Sequence, residues 1–247
     1  MQAGNAKGRK VSRIALVIAA IGWSVPAFCG TFTVSPVRIS LSASRPNSIL
    51  QVTNSNDEMV TLQAHVVVWT SDGEKDVYQD SDEVMLNPPL ASVGPRQKQF
   101  IRLGLRWPNE TTQERSYRLV LEEVPQPLKA DFQGVHTLLR FVIPIFVAPR
   151  VTTAPRLSWE AVRTNDDHIK LLVKNLGTAH IQIKSLDLAN ADAPDNPIRN
   201  TQPIYLLPNQ QREWIVNDDA IRLARRLAIV AATDAGAFHE TVAVDRP

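Results

Sequence analysis

The sequence predicts an all-β protein made of two consecutive β-sandwiches, and three features predict it. Beyond residue 30 the apolar side chains recur with period two, not 3.6. The runs are short and separated by turn residues. The pattern then stops at Ala148-Pro149-Arg150, with Pro155 close behind, and starts again; prolines there deny donors to any continuing ladder. At 247 residues and 44% apolar, the chain is long enough for one large or two ordinary domains, each with a buried core.

Residues 1 to 29 read as a signal peptide. Lys7, Arg9, Lys10 and Arg13 precede an apolar run, Ile14 to Trp23, and small residues surround Ala27. Without those four positive charges the 27 basic residues fall to 23 against 25 acids, so the net +2 becomes about −2. Bulk charge therefore gives no reason to expect nucleic-acid binding. The single cysteine, Cys29, excludes an intramolecular disulfide. Pro26, Ala27 and Phe28 stand where a lipoprotein signal needs a Leu and a small residue, so lipidation is not expected. No second apolar stretch approaches the ~20 residues of a membrane helix. The mature chain is expected to be soluble and outside the cytoplasm.

The first domain is expected over residues 30–149. Val37, Ile39 and Leu41 alternate with Pro36, Arg38 and Ser40, the mark of a strand with one core face. Similar runs follow at Ile49 to Thr53, Val60 to Trp69, Val84 to Leu86, Phe100 to Leu105, Tyr117 to Leu121 and Val135 to Val147. Turn signals divide them, among them Asn54-Ser55-Asn56-Asp57, Asp72-Gly73, Asn87-Pro88-Pro89 and Gly94-Pro95. Seven short strands at this spacing describe a sandwich of immunoglobulin type. The second domain, 150–247, repeats the pattern at Leu157 to Val162, Ile169 to Val173, Ile181 to Leu188, Ile204 to Leu206, Trp214 to Val216, Leu227 to Ala232 and Thr241 to Val244. Residues 189 to 203, rich in Asn, Asp and Pro, read as a long loop. Ile221 to Arg226 has room for one helical turn between strand-like flanks.

Catalytic chemistry is hard to find. The five histidines are scattered without metal-ligand spacing, and Asp166-Asp167-His168 has turn composition. There is no nucleophile elbow, phosphate loop or thiol in a reactive setting. No enzyme, metal or cofactor is expected.

The run Val135 to Val147 asks for an explanation. Val135, Thr137, Leu139, Phe141, Ile143 and Ile145 share one face; Leu138, Val142 and Phe146 share the other with Arg140. A sandwich strand normally keeps one face wet. Either this strand is central and buried on both sides, or it is an edge strand completed by another polypeptide. Periodicity leaves both open.

Three segments bear on that choice: Asn87-Pro88-Pro89, Gly94-Pro95-Arg96-Gln97-Lys98-Gln99-Phe100-Ile101-Arg102-Leu103, and Glu114-Arg115-Ser116-Tyr117-Arg118-Leu119-Val120-Leu121-Glu122-Glu123-Val124-Pro125. In order and spacing they resemble the signature of periplasmic pilus chaperones of the chaperone-usher pathway. Val173-Lys174-Asn175-Leu176-Gly177-Thr178 and Tyr205-Leu206-Leu207-Pro208 resemble the matching strand ends of that family's second domain. The resemblance implies a boomerang of two immunoglobulin-like domains, located in the periplasm, that binds pilin subunits in its cleft and hands them to an outer-membrane usher. It implies that Val135, Thr137, Leu139, Phe141, Ile143 and Ile145 form a donor row filling the subunit's open groove. Self-association of the free protein to hide that row is one possibility, which the sequence leaves open.

The family commonly holds the subunit's terminal carboxylate with an Arg on the first strand and a Lys on the last. Arg38 matches the first, but Pro144 stands in place of the Lys, so either Arg38 holds the carboxylate alone or another base has taken over. Arg118, an odd choice amid Tyr117, Leu119 and Val120 on the strand expected to neighbour the donor strand, is the candidate, and Arg140 a weaker one. Arg102, Glu114 and Asp234 align with charged positions that tie the two domains together. The missing cysteine pair, Pro144 and the run Leu139 to Pro144 resemble the archaic branch, associated with spore-coat-U-like pilins. A secreted adhesin or carbohydrate-binding protein on the same scaffold is the competing class.

Overall fold

The computed structural model describes residues 32–72, 75–107, 112–125, 137–166 and 168–245. The expected signal peptide with Cys29, and Val135 of the donor row, lie outside the described residues. In chain order the first sandwich holds β1 (Phe32–Ser35), β2 (Ile39–Ser42), β3 (Asn47–Asn54), β4 (Val60–Ser71), β5 (Asp76–Asp80), β6 (Val84–Asn87), β7 (Leu90–Val93), β8 (Lys98–Leu105), β9 (Arg115–Glu123) and β10 (Arg140–Ala148). One sheet runs β1-β3-β8-β6; the other runs β2-β10-β9-β4-β5, with β7 also paired to β4. Alternation decides which side chains meet between them. Along β8, Ile101, Leu103 and Leu105 are buried while Lys98 and Arg102 are exposed; along β4, Val60, Leu62, Ala64 and Val66 point inward. Each fully buried Leu or Ile, such as Leu50, Leu119 or Ile145, contributes about 1.5–3 kcal/mol.

The second sandwich holds β11 (Leu157–Arg163), β12 (Ile169–Asn175), β13 (Ile181–Asn190), β14 (Ala193–Asn200), β15 (Ile204–Leu206), β16 (Gln211–Val216), a single helical turn α1 (Asp219–Arg222), β17 (Arg226–Thr233) and β18 (Gly236–Asp245). Its strands run β14-β13-β17-β18-β11-β12-β16, with β15 also on β13. The long strand β18 joins the halves: it is antiparallel to β17 and, at Val244 and Asp245, parallel to β11. The Asp218 side chain accepts the Ala220 N–H, capping the helical turn, and Ile221 is buried beneath it. Both sandwiches use a buried asparagine to close a turn. Asn54 Nδ2 donates to the carbonyls of Glu58 (2.8 Å) and Val93 (3.0 Å), and Asn175 Nδ2 to those of Ala179 (2.8 Å) and Leu206 (3.1 Å).

Three expectations are corrected. Residues 189 to 203 are not a long loop, because β14 pairs with β13 from Leu186↔Asn200 to Asn190↔Ala193. Its polar residues and Pro197 suit an edge strand, where one row of backbone groups needs no ladder partner. Val37 does not share the core face with Ile39 and Leu41; the chain enters β2 only at Ile39, leaving Val37 73% exposed. β10 begins at Arg140, so Thr137, Leu138 and Leu139 precede the strand. No helix among the described residues is long and apolar enough to cross a membrane.

Candidate functional site

The two sides of β10 differ along its length. On one side it is antiparallel to β9 throughout, from Arg140↔Glu122 to Val147↔Arg115. On the other it is parallel to β2, but only from Ile145↔Ile39 to Ala148↔Ser42. Among the described residues, the stretch from Arg140 to Pro144 has no strand on that second side. Pro144 suits the changeover, since it brings no N–H to an edge that lacks a partner. β10 is therefore an edge strand over its first half and an interior strand over its second.

The expected donor row faces the first sandwich's own core, and its cover grades along the chain. Thr137 is exposed, Leu139 and Phe141 are partly buried against the core, and Ile143 and Ile145 are at 3% and 0% exposure. The Phe141 ring sits 4.9 Å from that of Phe32 on β1, the edge strand of the facing sheet. Leu139 is still held by β9's end: its carbonyl accepts the Glu123 N–H at 3.0 Å. On the opposite face Arg140 pairs with Glu122 at 2.9 Å, Val142 is half exposed and Phe146 is fully buried.

Phe146 begins the junction between the sandwiches, which belong to one compact unit, Thr31–Pro247. With Trp69 of β4 and Leu207 it forms a buried apolar cluster, and Tyr205 of β15 packs on it. The His180 ring stacks on Phe146 at 3.3 Å. Polar contacts surround this cluster. His180 Nδ1 is hydrogen-bonded to Glu114 Oε1 at 2.6 Å, and the His180 backbone N–H donates to the same oxygen at 2.9 Å. Arg38 Nη1 donates to Asp234 Oδ2 at 2.7 Å, and His180 Nε2 lies 3.8 Å from that oxygen. Elsewhere on the junction, Asp76 of β5 accepts from Arg212 Nη2 at 2.6 Å and Gln210 Nε2 at 3.0 Å.

The expected interdomain set Arg102, Glu114 and Asp234 is therefore only partly assembled. Glu114 and Asp234 converge, but His180 and Arg38 meet them, not Arg102. Arg102 is exposed on β8, in register with Ile49 and Asn87, because Ile101 and Leu103 on either side take the core positions. His180, Phe146, Tyr205, Asp76 and Arg212 were not singled out for the junction by sequence. An isolated histidine or aspartate carries no local signal of a partner about 50 or more residues away.

The expected anchor residues lie at this junction. Arg118 and Pro144 are register partners across the β9–β10 ladder, so the arginine projects from the place beside the proline. Its guanidinium carbon lies 3.5 Å over the Trp69 ring and 5.5 Å from the centre of the Tyr205 ring. Burial pulls the guanidinium below the ordinary arginine range, against the raising effect of Tyr78, Asp76 and Tyr205. Its Nε is buried without a hydrogen-bond partner. Arg38 is more open, with 42% of its side chain exposed. No cluster of His, Cys, Asp and Glu among the described residues has the geometry of a metal site.

The comparisons with known proteins agree with this geometry. Residues 31–152 match the family model described as pili and flagellar-assembly chaperone, PapD N-terminal domain. No curated protein sequence matches the chain. Among solved structures, the chain is similar to one from a complex of the chaperone CsuC with the tip adhesion subunit CsuE, from archaic Csu pili of Acinetobacter baumannii. That match has 21% identity and a TM-score of 0.62 over 88% of this chain and 100% of the other. A structure of the Salmonella enterica pilin SafA with the chaperone SafB matches at 16% identity and a TM-score of 0.60, over 85% of this chain and 96% of the other. The E. coli chaperone DraB matches at 16% identity and a TM-score of 0.57, over 88% and 97%. These likenesses show the fold of two immunoglobulin-like sandwiches. Residues 31–152 thus carry the N-terminal domain of the pili and flagellar-assembly chaperones.

Proposed function

We propose that the protein binds exported pilin subunits in the periplasm by lending them the free edge of β10, and passes them to an outer-membrane usher. What supports this reading is the stretch from Arg140 to Pro144, which has no strand on its second side among the described residues and adjoins a half-covered apolar row at Leu139 and Phe141. A subunit strand laid along that edge gains main-chain hydrogen bonds. Thr137, Leu139 and Phe141 extend the row into its groove. Ile143 and Ile145 are committed to the chain's own core and anchor the donated strand rather than fill the groove. The donor strand belongs to the domain proposed over 30–149, and 150–247 supplies the other wall of the cleft.

Register follows from the same edge. A strand parallel to β10 and lying on its free side must stop where β2 begins, at Ile39. Arg38 is the residue immediately before it, and Arg118 projects beside Pro144, the last free position. A C-terminal carboxylate ending there meets two guanidinium groups, which replace its lost hydration.

Co-expression with exported pilin subunits, followed by co-purification through a tag on the chaperone, tests the reading. Leu139→Asp is expected to abolish capture, because an unpaired carboxylate in an apolar groove costs several kcal/mol. The free variant loses only about 1–2 kcal/mol of folding stability, Leu139 being half covered. Capture undiminished by this substitution in a folded variant would remove the donor-strand mechanism.

A further inference from the structure

Tyr205 lies in the second sandwich, on the short strand β15, and packs on the first. Its ring is fixed on three sides. Trp69 meets it edge-on at 5.6 Å, Phe146 lies at 5.7 Å and His180 at 6.0 Å. The Arg118 guanidinium sits 5.5 Å from the ring centre. The path to Arg38 is also short, since His180 lies 3.8 Å from the Asp234 oxygen that receives the Arg38 Nη1–H. Tyr205 thus stands in one cluster with both arginines. Its hydroxyl makes no hydrogen bond among the described residues.

We infer that the Tyr205 hydroxyl is a third donor to the subunit's terminal carboxylate, contributed by the second sandwich between Arg38 and Arg118. A phenol suits this part chemically. Two guanidinium groups bring charge, whereas a fixed neutral O–H brings direction and leaves the charge balance unchanged. Burial and the neighbouring Asp234 hold the phenol above its usual titration range, while Arg38 and Arg118 act the other way. The group is accordingly protonated, and a donor, at neutral pH. It also makes the carboxylate site depend on both sandwiches: the arginines come from the first, and the hydroxyl closes the site from the second.

Tyr205 has this role only if Arg38 and Arg118 hold a carboxylate as proposed above, and the test separates the two. The probes are a short peptide alternating valine and threonine with a free C-terminal carboxylate, and the same peptide amidated, each titrated onto the purified chain. Tyr205→Phe keeps the ring and its packing and removes only the oxygen. The expected result is an affinity for the free acid about tenfold weaker than that of the parent protein, with affinity for the amide and the melting midpoint unchanged. A merely structural tyrosine would move both peptides together or neither. If Tyr205→Phe keeps the full preference for the acid while Arg38→Ala and Arg118→Ala lose it, the tyrosine's part is overturned and the two-arginine anchor stands. If the parent protein itself binds acid and amide equally, the anchor falls and Tyr205 with it.

Discussion

Asp76 is a single carboxylate that couples the two sandwiches, and its surroundings give its stabilisation a definite pH window. Burial alone would raise its titration range. The side-chain hydrogen bonds from Gln210 and Arg212, with the Arg212 charge, outweigh that and hold it below the ordinary 3.8. A carboxyl depressed on folding stabilises the native state at all pH above its unfolded value, and the contribution disappears as pH falls through its native value. Asp76→Asn should therefore lower stability by about 1 kcal/mol at neutral pH, a modest figure because the pair is partly solvated. The gap between parent and variant in thermal or urea unfolding should stay constant down to about pH 4 and close below it. A gap independent of pH through the acid range would mean that the charge of Asp76 contributes nothing. Little of this was legible beforehand: Asp76 follows an Asp-Gly turn signal, and its partners in the second sandwich lie more than 130 residues away. The buried asparagines were easier to read. Asn54 opens a turn signal and Asn175 stands in a family-like segment, and both turned out to hold the turns that follow them.

For a whole strand, period two was a good guide wherever one face is buried and a poor one at sheet margins. β4, β8 and β9 fall where the alternation placed them, because their inward residues make the core. β5, β7 and β14 are short or polar and lie at edges, where backbone pairing is satisfied without an apolar face, so composition alone read β14 as a loop. β10 was legible as unusual but not as divided; only pairing reveals that its free and covered halves meet at Pro144. That register gives a test of the proposed anchoring role of Arg118. Arg118 and Pro144 face one another across the ladder, so a cation on either can reach the same space. Arg118→Ala is expected to weaken subunit capture about tenfold or more, and Pro144→Lys added to it should recover most of the loss. Binding that stays weak in the double variant, with its fold intact by circular dichroism, would show that the site needs a planar guanidinium stacked on Trp69 and not merely a positive charge.

Across the molecule, the two sandwiches are joined by an apolar cluster that is smaller than either core. Phe146 is the shared member: it continues β10 beyond its free half, it is 2% exposed, and it contacts Trp69, Tyr205 and His180. Phe146→Ala should cost about 3–5 kcal/mol, the usual penalty for emptying a buried aromatic site. The larger consequence is cooperativity. Scanning calorimetry on the variant should resolve two transitions in place of one as each sandwich melts on its own. A single transition with an unchanged midpoint would place the coupling in the surrounding ion pairs. The charged part of the junction was only half legible, because Glu114 and Asp234 stand at family-like positions but the residue between them is a histidine. Arg102 was drawn in by its place in a motif, although its neighbours Ile101 and Leu103 fix it on the outer face.

The division of β10 at Pro144 also limits how the chaperone can aggregate. An open strand edge is a template on which copies of a chain can stack, and the hazard grows with its length and flatness. Here one end of the open stretch is closed by β2 and a proline, and the exposed Arg140–Glu122 ion pair stands near the other end. Among the described residues the open stretch is thus short, and each of its ends carries a feature that discourages the stacking of copies.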